Sequence, residues 1–173
     1  MKKGVFYIVV CFLSMIQFYM SAQEVKTFNY QGEVDLMYSF GIDDETNNVN
    51  LEFVNGIRFS RYLFAGVGGG LTMNFGDEAV IVPLYLNVKG YMPVSRKLDL
   101  VAGLNLGTKL DYYYDTSGGL LLRPEFGFHF PFRGKSGMDV SIFYEYYSYT
   151  VYVLNATIKG KTNQIGFKIG FHF

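Results

Sequence analysis

From Thr162 to Phe173 the chain alternates without a break. Ile165, Phe167, Ile169, Phe171 and Phe173 fall on one side, and Gln164, Gly166, Lys168, Gly170 and His172 on the other. A period of two with one wholly apolar side specifies a β-strand whose two faces meet different surroundings. Thr27 to Gly41 repeats the pattern. Phe28, Tyr30, Gly32, Val34, Leu36, Tyr38 and Phe40 oppose Thr27, Asn29, Gln31, Glu33, Asp35, Met37 and Ser39. The apolar face carries aromatics at both ends and small or aliphatic residues between. That order is expected of two interfacial girdles around a hydrocarbon band.

Six further segments alternate in the same way: Val49–Phe59, Phe64–Phe75, Val80–Met92, a stretch through Leu100–Leu110, Gly119–Phe130 and Met138–Tyr147. Each is close to the roughly 9–11 residues that a tilted membrane-crossing strand requires. Helical periodicity is absent beyond the first 22 residues. Only a closed barrel satisfies every backbone polar group in lipid. The pattern therefore predicts an all-β chain, an eight-stranded antiparallel up-and-down transmembrane β-barrel.

The connections form two classes. Ser60–Leu63, Pro93–Leu98 and Pro131–Gly137 carry Arg61, Arg96, Lys97, Arg133 and Lys135 and no carboxylate. Ile42–Asn48, Gly76–Ala79, Asp111–Gly118 and a longer stretch around Ser148–Lys161 hold Asp43, Asp44, Glu45, Asp77, Glu78, Asp111 and Asp115 against Lys159 and Lys161. With an even strand number both termini share the periplasmic side, so the basic turns are periplasmic and the acidic loops face outward.

Lys2 and Lys3 precede an apolar stretch, Val5–Met20, followed by Ser21 and Ala22. This reads as a secretory signal over residues 1–22, leaving 23–173 as one barrel domain. The apolar stretch is short for a spanning helix, which needs about 20 residues. Cleavage would take basic residues from 15 to 13 against 15 acidic ones, a formal charge of −2. It would also remove the single cysteine, Cys11, so no disulfide is expected in the mature chain. That charge excludes an electrostatic case for nucleic acid.

Alternation alone does not say which face points inward. The polar face carries nearly balanced charges, with Glu33, Asp35, Glu52, Glu125 and Glu145 against Arg58, Lys89, Lys109, Arg123 and Lys168. It is also rich in glycine, which leaves room for long side chains on a tightly curved inner wall. The polar set is therefore assigned to the interior. Eight strands enclose only enough space for side chains to fill. A desolvated charge without a partner is costly, so pairing is expected: Arg123 with Glu145, and Lys168 with Glu33.

No catalytic residue, cofactor or protein-held metal is expected. Outer-leaflet chemistry needs its residues near the outer rim, whereas His129 and His172 end strands six and eight on the periplasmic side, with Asp139 and Ser141 also low. The loop acids Asp43, Asp44, Glu45, Asp77 and Glu78 are oxygen ligands that could bridge divalent cations to lipopolysaccharide, but their spacing matches no EF-hand, and solvated loop acids are the simpler account. Gly66, Gly68 and Gly70 lack the following helix that a phosphate loop requires.

The paired terminal aromatics with interleaved glycine, including Gly166, Ile169, Phe171 and Phe173, resemble the assembly signal read by the bacterial outer-membrane insertion machinery. Val82–Gly90 and Leu121–Gly127 resemble segments of the small outer-membrane β-barrel family of OmpX and OmpA-barrel type, often called the porin family. The resemblance implies a bacterial outer-membrane location. It also implies contact with outer-membrane lipid and lipopolysaccharide, insertion through the C-terminal strand, and a monomer. The expected function is non-enzymatic and carried by outer-facing loops, in adhesion, envelope stability or contact with a surface partner. The rival expectations are a narrow channel for small or apolar solutes and a lipid A-modifying enzyme.

Overall fold

A computed structural model describes residues 28–42, 46–75, 80–111, 116–132, 136–153 and 156–173. The strands are β1 (Phe28–Gly41), β2 (Asn47–Phe59), β3 (Leu63–Asn74), β4 (Val80–Ser95), β5 (Leu98–Asp111), β6 (Thr116–Pro131), β7 (Gly137–Val153) and β8 (Ala156–His172). Each pairs antiparallel with the next, and β1 pairs with β8 to close the barrel. The seam is finished by Phe173 and Gly32, whose backbones exchange two hydrogen bonds of 3.0 Å. The Phe173 ring lies over Gly32, where an added Cβ would come within 2.5 Å of it.

The apolar set faces outward. Phe28 is 62% exposed, Leu36 55% and Ile169 43%, whereas Glu33, Glu52, Lys89, Arg123 and Asp139 are fully buried. Exposed Leu, Val, Ile and Phe side chains run along every strand from β1 to β8. Water-soluble monomers rarely expose more than a few hundred Å² of contiguous apolar surface. A belt of this extent, outside a core of charges, is the arrangement that a bilayer stabilises.

Several expected connections are in fact strand. Pro93 to Ser95 belong to β4, with a register shift between Pro93 and Ser95, so the turn into β5 shrinks to Arg96 and Lys97. Leu63, Leu98 and Gly137 open their strands, and Pro131 ends β6. Asn47 and Asn48 open β2, while Asp111 ends β5 and residues 116–118 open β6. The largest correction concerns Ser148–Lys161. This stretch is a continuous hairpin paired from Ser148↔Lys161 to Val153↔Ala156. Tyr149, Val151 and Val153 are aromatic or β-branched and favour extended pairing, and a hairpin needs no hydrocarbon to satisfy its backbone.

That hairpin outruns its neighbours. β1 leaves β8 at Gly41↔Gln164, and β5 leaves β6 at Gly107↔Leu121, but β6, β7 and β8 continue together. A three-stranded tongue therefore projects from the end away from Phe28 and Phe173, the end expected to face outward. On that side the spans 42–46, 75–79, 112–115 and 154–155 connect the strands. At the end carrying both termini the connections are 60–62, 96–97 and 132–136. In the first of these turns Ser60 adopts φ 61° and its Oγ accepts from Tyr62 N at 3.3 Å.

Candidate functional site

Polar residues at alternate positions project into the barrel and form two charged groups at different depths. The outer group centres on Arg123 of β6. Its guanidinium meets Glu52 of β2 through two bonds, Nη1 to Oε2 at 2.8 Å and Nη2 to Oε1 at 3.0 Å. It meets Glu145 of β7 through Nε to Oε2 at 2.8 Å and Nη2 to Oε2 at 2.7 Å. Lys109 pairs with the other Glu145 oxygen, and Tyr85 donates to Glu52 Oε2 at 2.5 Å. A planar fork with five N–H donors suits two carboxylates in a way that a lysine ammonium cannot. The Tyr85 and Phe143 rings lie 5.4 and 5.6 Å from the guanidinium and exclude water from it.

Room for the inward side chains comes from glycines paired with them on the adjacent strand. A Cβ at Gly68 would lie 2.4 Å from the Tyr85 ring, and one at Gly170 would lie 2.3 Å from Asp35 Oδ1. Above the group, Tyr147 donates to the Lys109 carbonyl at 3.0 Å and stacks on Tyr149, with centroids 5.7 Å apart. Buried Val54, Phe64, Tyr85, Tyr91, Val101, Leu121 and Tyr147 make an apolar cluster inside the wall. Alternation places Tyr85 inward with Asn87 and Lys89; the other six occupy inward parity positions without carrying charge or amide groups, so a rule that assigned polar side chains inward did not find them.

The second group lies toward the end that holds Phe28 and Phe173, the end expected to face the periplasm. Lys89 of β4 pairs with Glu33 and lies 3.3 Å from Asp139 and 3.7 Å from Glu125. Lys168 of β8 pairs most closely with Glu125, and reaches Glu33 at 3.7 Å and Asp35 at 3.8 Å. Below them, His129 Nδ1 lies 2.7 Å from Asp139 Oδ1, and His172 Nε2 lies 3.0 Å from Asp139 Oδ2. Gln31 Nε2 is 2.5 Å from His172 Nδ1, and Tyr91 sets its ring edge-on to both imidazoles at 5.1 and 6.4 Å. Arg58 covers the Tyr91 ring at 4.2 Å and donates to Gln31 and the Arg61 carbonyl.

The structure thus brings Arg123 to Glu145, and also to Glu52, which the expected pairing did not include. It puts Lys168 within ion-pair distance of Glu33, but with Glu125 nearer. The shear of the barrel lets one side chain meet carboxylates from two or three strands, which a strand-by-strand height count cannot anticipate. Gly166 faces inward against Phe143, while Ile169, Phe171 and Phe173 face outward. Asp43, Asp44, Glu45, Asp77 and Glu78 lie outside the described residues. The convergence of His129, Asp139 and His172 was missed. Position along each strand already put all three near one rim, and that coincidence was the available signal.

No protein-family model matches the chain, and no curated protein matches it. Solved structures do. Neisserial surface protein A (NspA) aligns with a TM-score of 0.61 at 12% identity, over 86% of this chain and 98% of that one. The outer-membrane protein OprG from Pseudomonas aeruginosa aligns at 0.56 and 11% identity, over 86% and 97%. The outer-membrane protein AlkL, solved in lipid bilayers, aligns at 0.52 and 8% identity, over 88% and 93%. Fold survives at these identities where particular side chains do not. The chain is an eight-stranded transmembrane β-barrel with the fold of the small bacterial outer-membrane barrels.

Proposed function

We propose that this outer-membrane barrel is a non-enzymatic surface protein that acts through its outer end, with an interior that serves stability and not passage. One observation carries the reading: the cross-section is closed by side chains. Arg123, Glu52, Glu145 and Lys109 join β2, β5, β6 and β7 across the lumen, and Tyr85, Met37 and Phe143 fill the same level. A route for solutes would have to break several buried ion pairs, each costly to separate.

The outer connections of β1 to β6 span only a few residues, and among the described residues the largest surface offered outward is the β6–β8 tongue. It carries Tyr149, Lys159 and Lys161 on paired strands. Adhesion, envelope stability and contact with a surface partner all fit such a projection, and of these we favour contact through the tongue. The histidines stand at the far end of the barrel, which supports a non-enzymatic role toward the outer leaflet.

Planar-bilayer recording of the refolded barrel tests the sealed interior, and stepwise conductance would overturn it. Shortening the tongue by paired deletion of residues 149–150 and 159–160 tests the rest. The expected result is an intact barrel, seen as heat-modifiable migration on SDS gels, with impaired envelope integrity or surface attachment. A changed lipid A mass spectrum in cells lacking the protein would instead support an enzyme.

A further inference from the structure

We propose that His129, Asp139 and His172 form a binding site for a divalent transition-metal ion of the zinc class at the periplasmic end of the lumen. One donor atom from each residue lies within 4.8 Å of the other two, and all three side chains are buried. Metal–nitrogen and metal–oxygen bonds of about 2.0–2.2 Å put tetrahedral ligand atoms roughly 3.3 Å apart. The separations of 2.7 Å from Asp139 Oδ1 to His129 and 3.0 Å from Asp139 Oδ2 to His172, one from each carboxylate oxygen, need only a small expansion to accept an ion. Two imidazoles and one carboxylate leave a fourth position open, and this nitrogen–oxygen set suits zinc or a neighbouring first-row metal.

A second observation points the same way. His172 Nε2 is buried and aimed at Asp139, yet has no partner in hydrogen-bonding geometry among the described residues. Gln31 holds the other ring nitrogen, as ligating histidines require. Turning its terminal amide by a half rotation lets the oxygen accept Nδ1–H and gives Nε2 a lone pair directed at the site. That rotation gives up only a 3.4 Å contact with Arg58.

Charge supports the valence. Among the described inward-facing side chains of this end, Glu33, Asp35, Asp99, Glu125 and Asp139 face Arg58, Lys89 and Lys168. Two carboxylates are in excess, and Asp99 stands opposite His129 in the register. A dication neutralises that excess. Lys89 approaches Asp139 at 3.3 Å but holds Glu33 more closely, so it can yield the Asp139 oxygen without losing its partner.

Both histidines of the chain are in this site, so any imidazole signal from the untagged protein reports on it. Zn²⁺ is titrated into the refolded barrel in detergent at neutral pH, with ¹⁵N-imidazole resonances and calorimetry as readouts. The expected result is one ion per barrel, with both rings shifting together. Co²⁺ gives a low-symmetry visible absorption band. His172→Gln and Asp139→Asn abolish binding. Gln31→Leu, which removes the supporting amide, weakens it by roughly 10- to 100-fold. Heat-modifiable migration checks that each variant folds, and the wild-type resonances decide the matter if one does not. Rings that stay unshifted by excess Zn²⁺ would overturn the site. So would two imidazolium rings at neutral pH, because they would balance the carboxylates without a metal.

Discussion

The two ends of the lumen use the same residue types to different effect. Around Arg123 two carboxylates face two cations, and every charged atom has a directed partner: the guanidinium forks onto Glu52 and Glu145, Lys109 takes the remaining Glu145 oxygen, and Tyr85 completes Glu52. Toward the periplasm carboxylates outnumber the fixed cations. There Glu33 Oε2, Asp35 Oδ1, both Glu125 oxygens and Lys168 Nζ sit among opposite charges without a directed hydrogen bond from the described residues. Buried ions are stabilised by geometry as much as by sign. The outer group therefore reads as a brace across the barrel. The lower group is left with negative charge that a further cation can neutralise.

The sharpest test removes one cation from each group. Lys89→Met would leave Glu33, Asp139 and Glu125 with less compensation where carboxylates are already in excess. Its loss of stability should reach the top of the roughly 3–5 kcal/mol range for breaking a buried ion pair. Arg123→Met should fall within the same range, about 3–5 kcal/mol, and adding Glu52→Gln should restore part of it. The chain has no Trp, so urea unfolding in detergent is best followed by far-UV circular dichroism and by gel migration. Equal tolerance of both substitutions would end the distinction.

Packing gives a smaller effect. Gly68→Ala presses a methyl against the Tyr85 ring and displaces the hydroxyl that satisfies Glu52, for an expected loss of about 1–3 kcal/mol by the same unfolding assay. The smallest change sharpens the comparison most. Asp35→Asn removes one of the excess carboxylates, whose nearest cation is 3.8 Å away. Stability should move by no more than about 1 kcal/mol, the scale of a single net hydrogen bond. Glu145→Gln, the same chemical change in the outer group, deprives both Arg123 and Lys109 of a partner and should cost several times as much. If the two carboxylate variants behave alike, the charge excess at the periplasmic end has no energetic meaning.

Much of this was legible from alternation. Phe28, Leu36 and Ile169 on the outside and Glu33, Arg123 and Lys168 on the inside follow from parity, because a strand has only two faces. The strand ends were less legible. Ser148–Lys161 reads as a loop because its lysines, tyrosines and small polar residues no longer alternate in polarity once the strands rise clear of lipid. Pro93 looked like a turn residue because proline usually avoids strands, yet it sits beside a register shift at the end of β4.

The order of apolar and polar residues determined a strand count, an inside and an outside, and a membrane as the matching solvent. These depend on period and composition, which are local properties of the chain. It anticipated Arg123 with Glu145 but not the full set of charges that meet. Closure of the barrel and the stagger of its strands decided that Arg123 spans Glu52 and Glu145, and that His129 and His172, far apart in the chain, share Asp139. Such partnerships cross the lumen and depend on register between strands, which no single strand encodes.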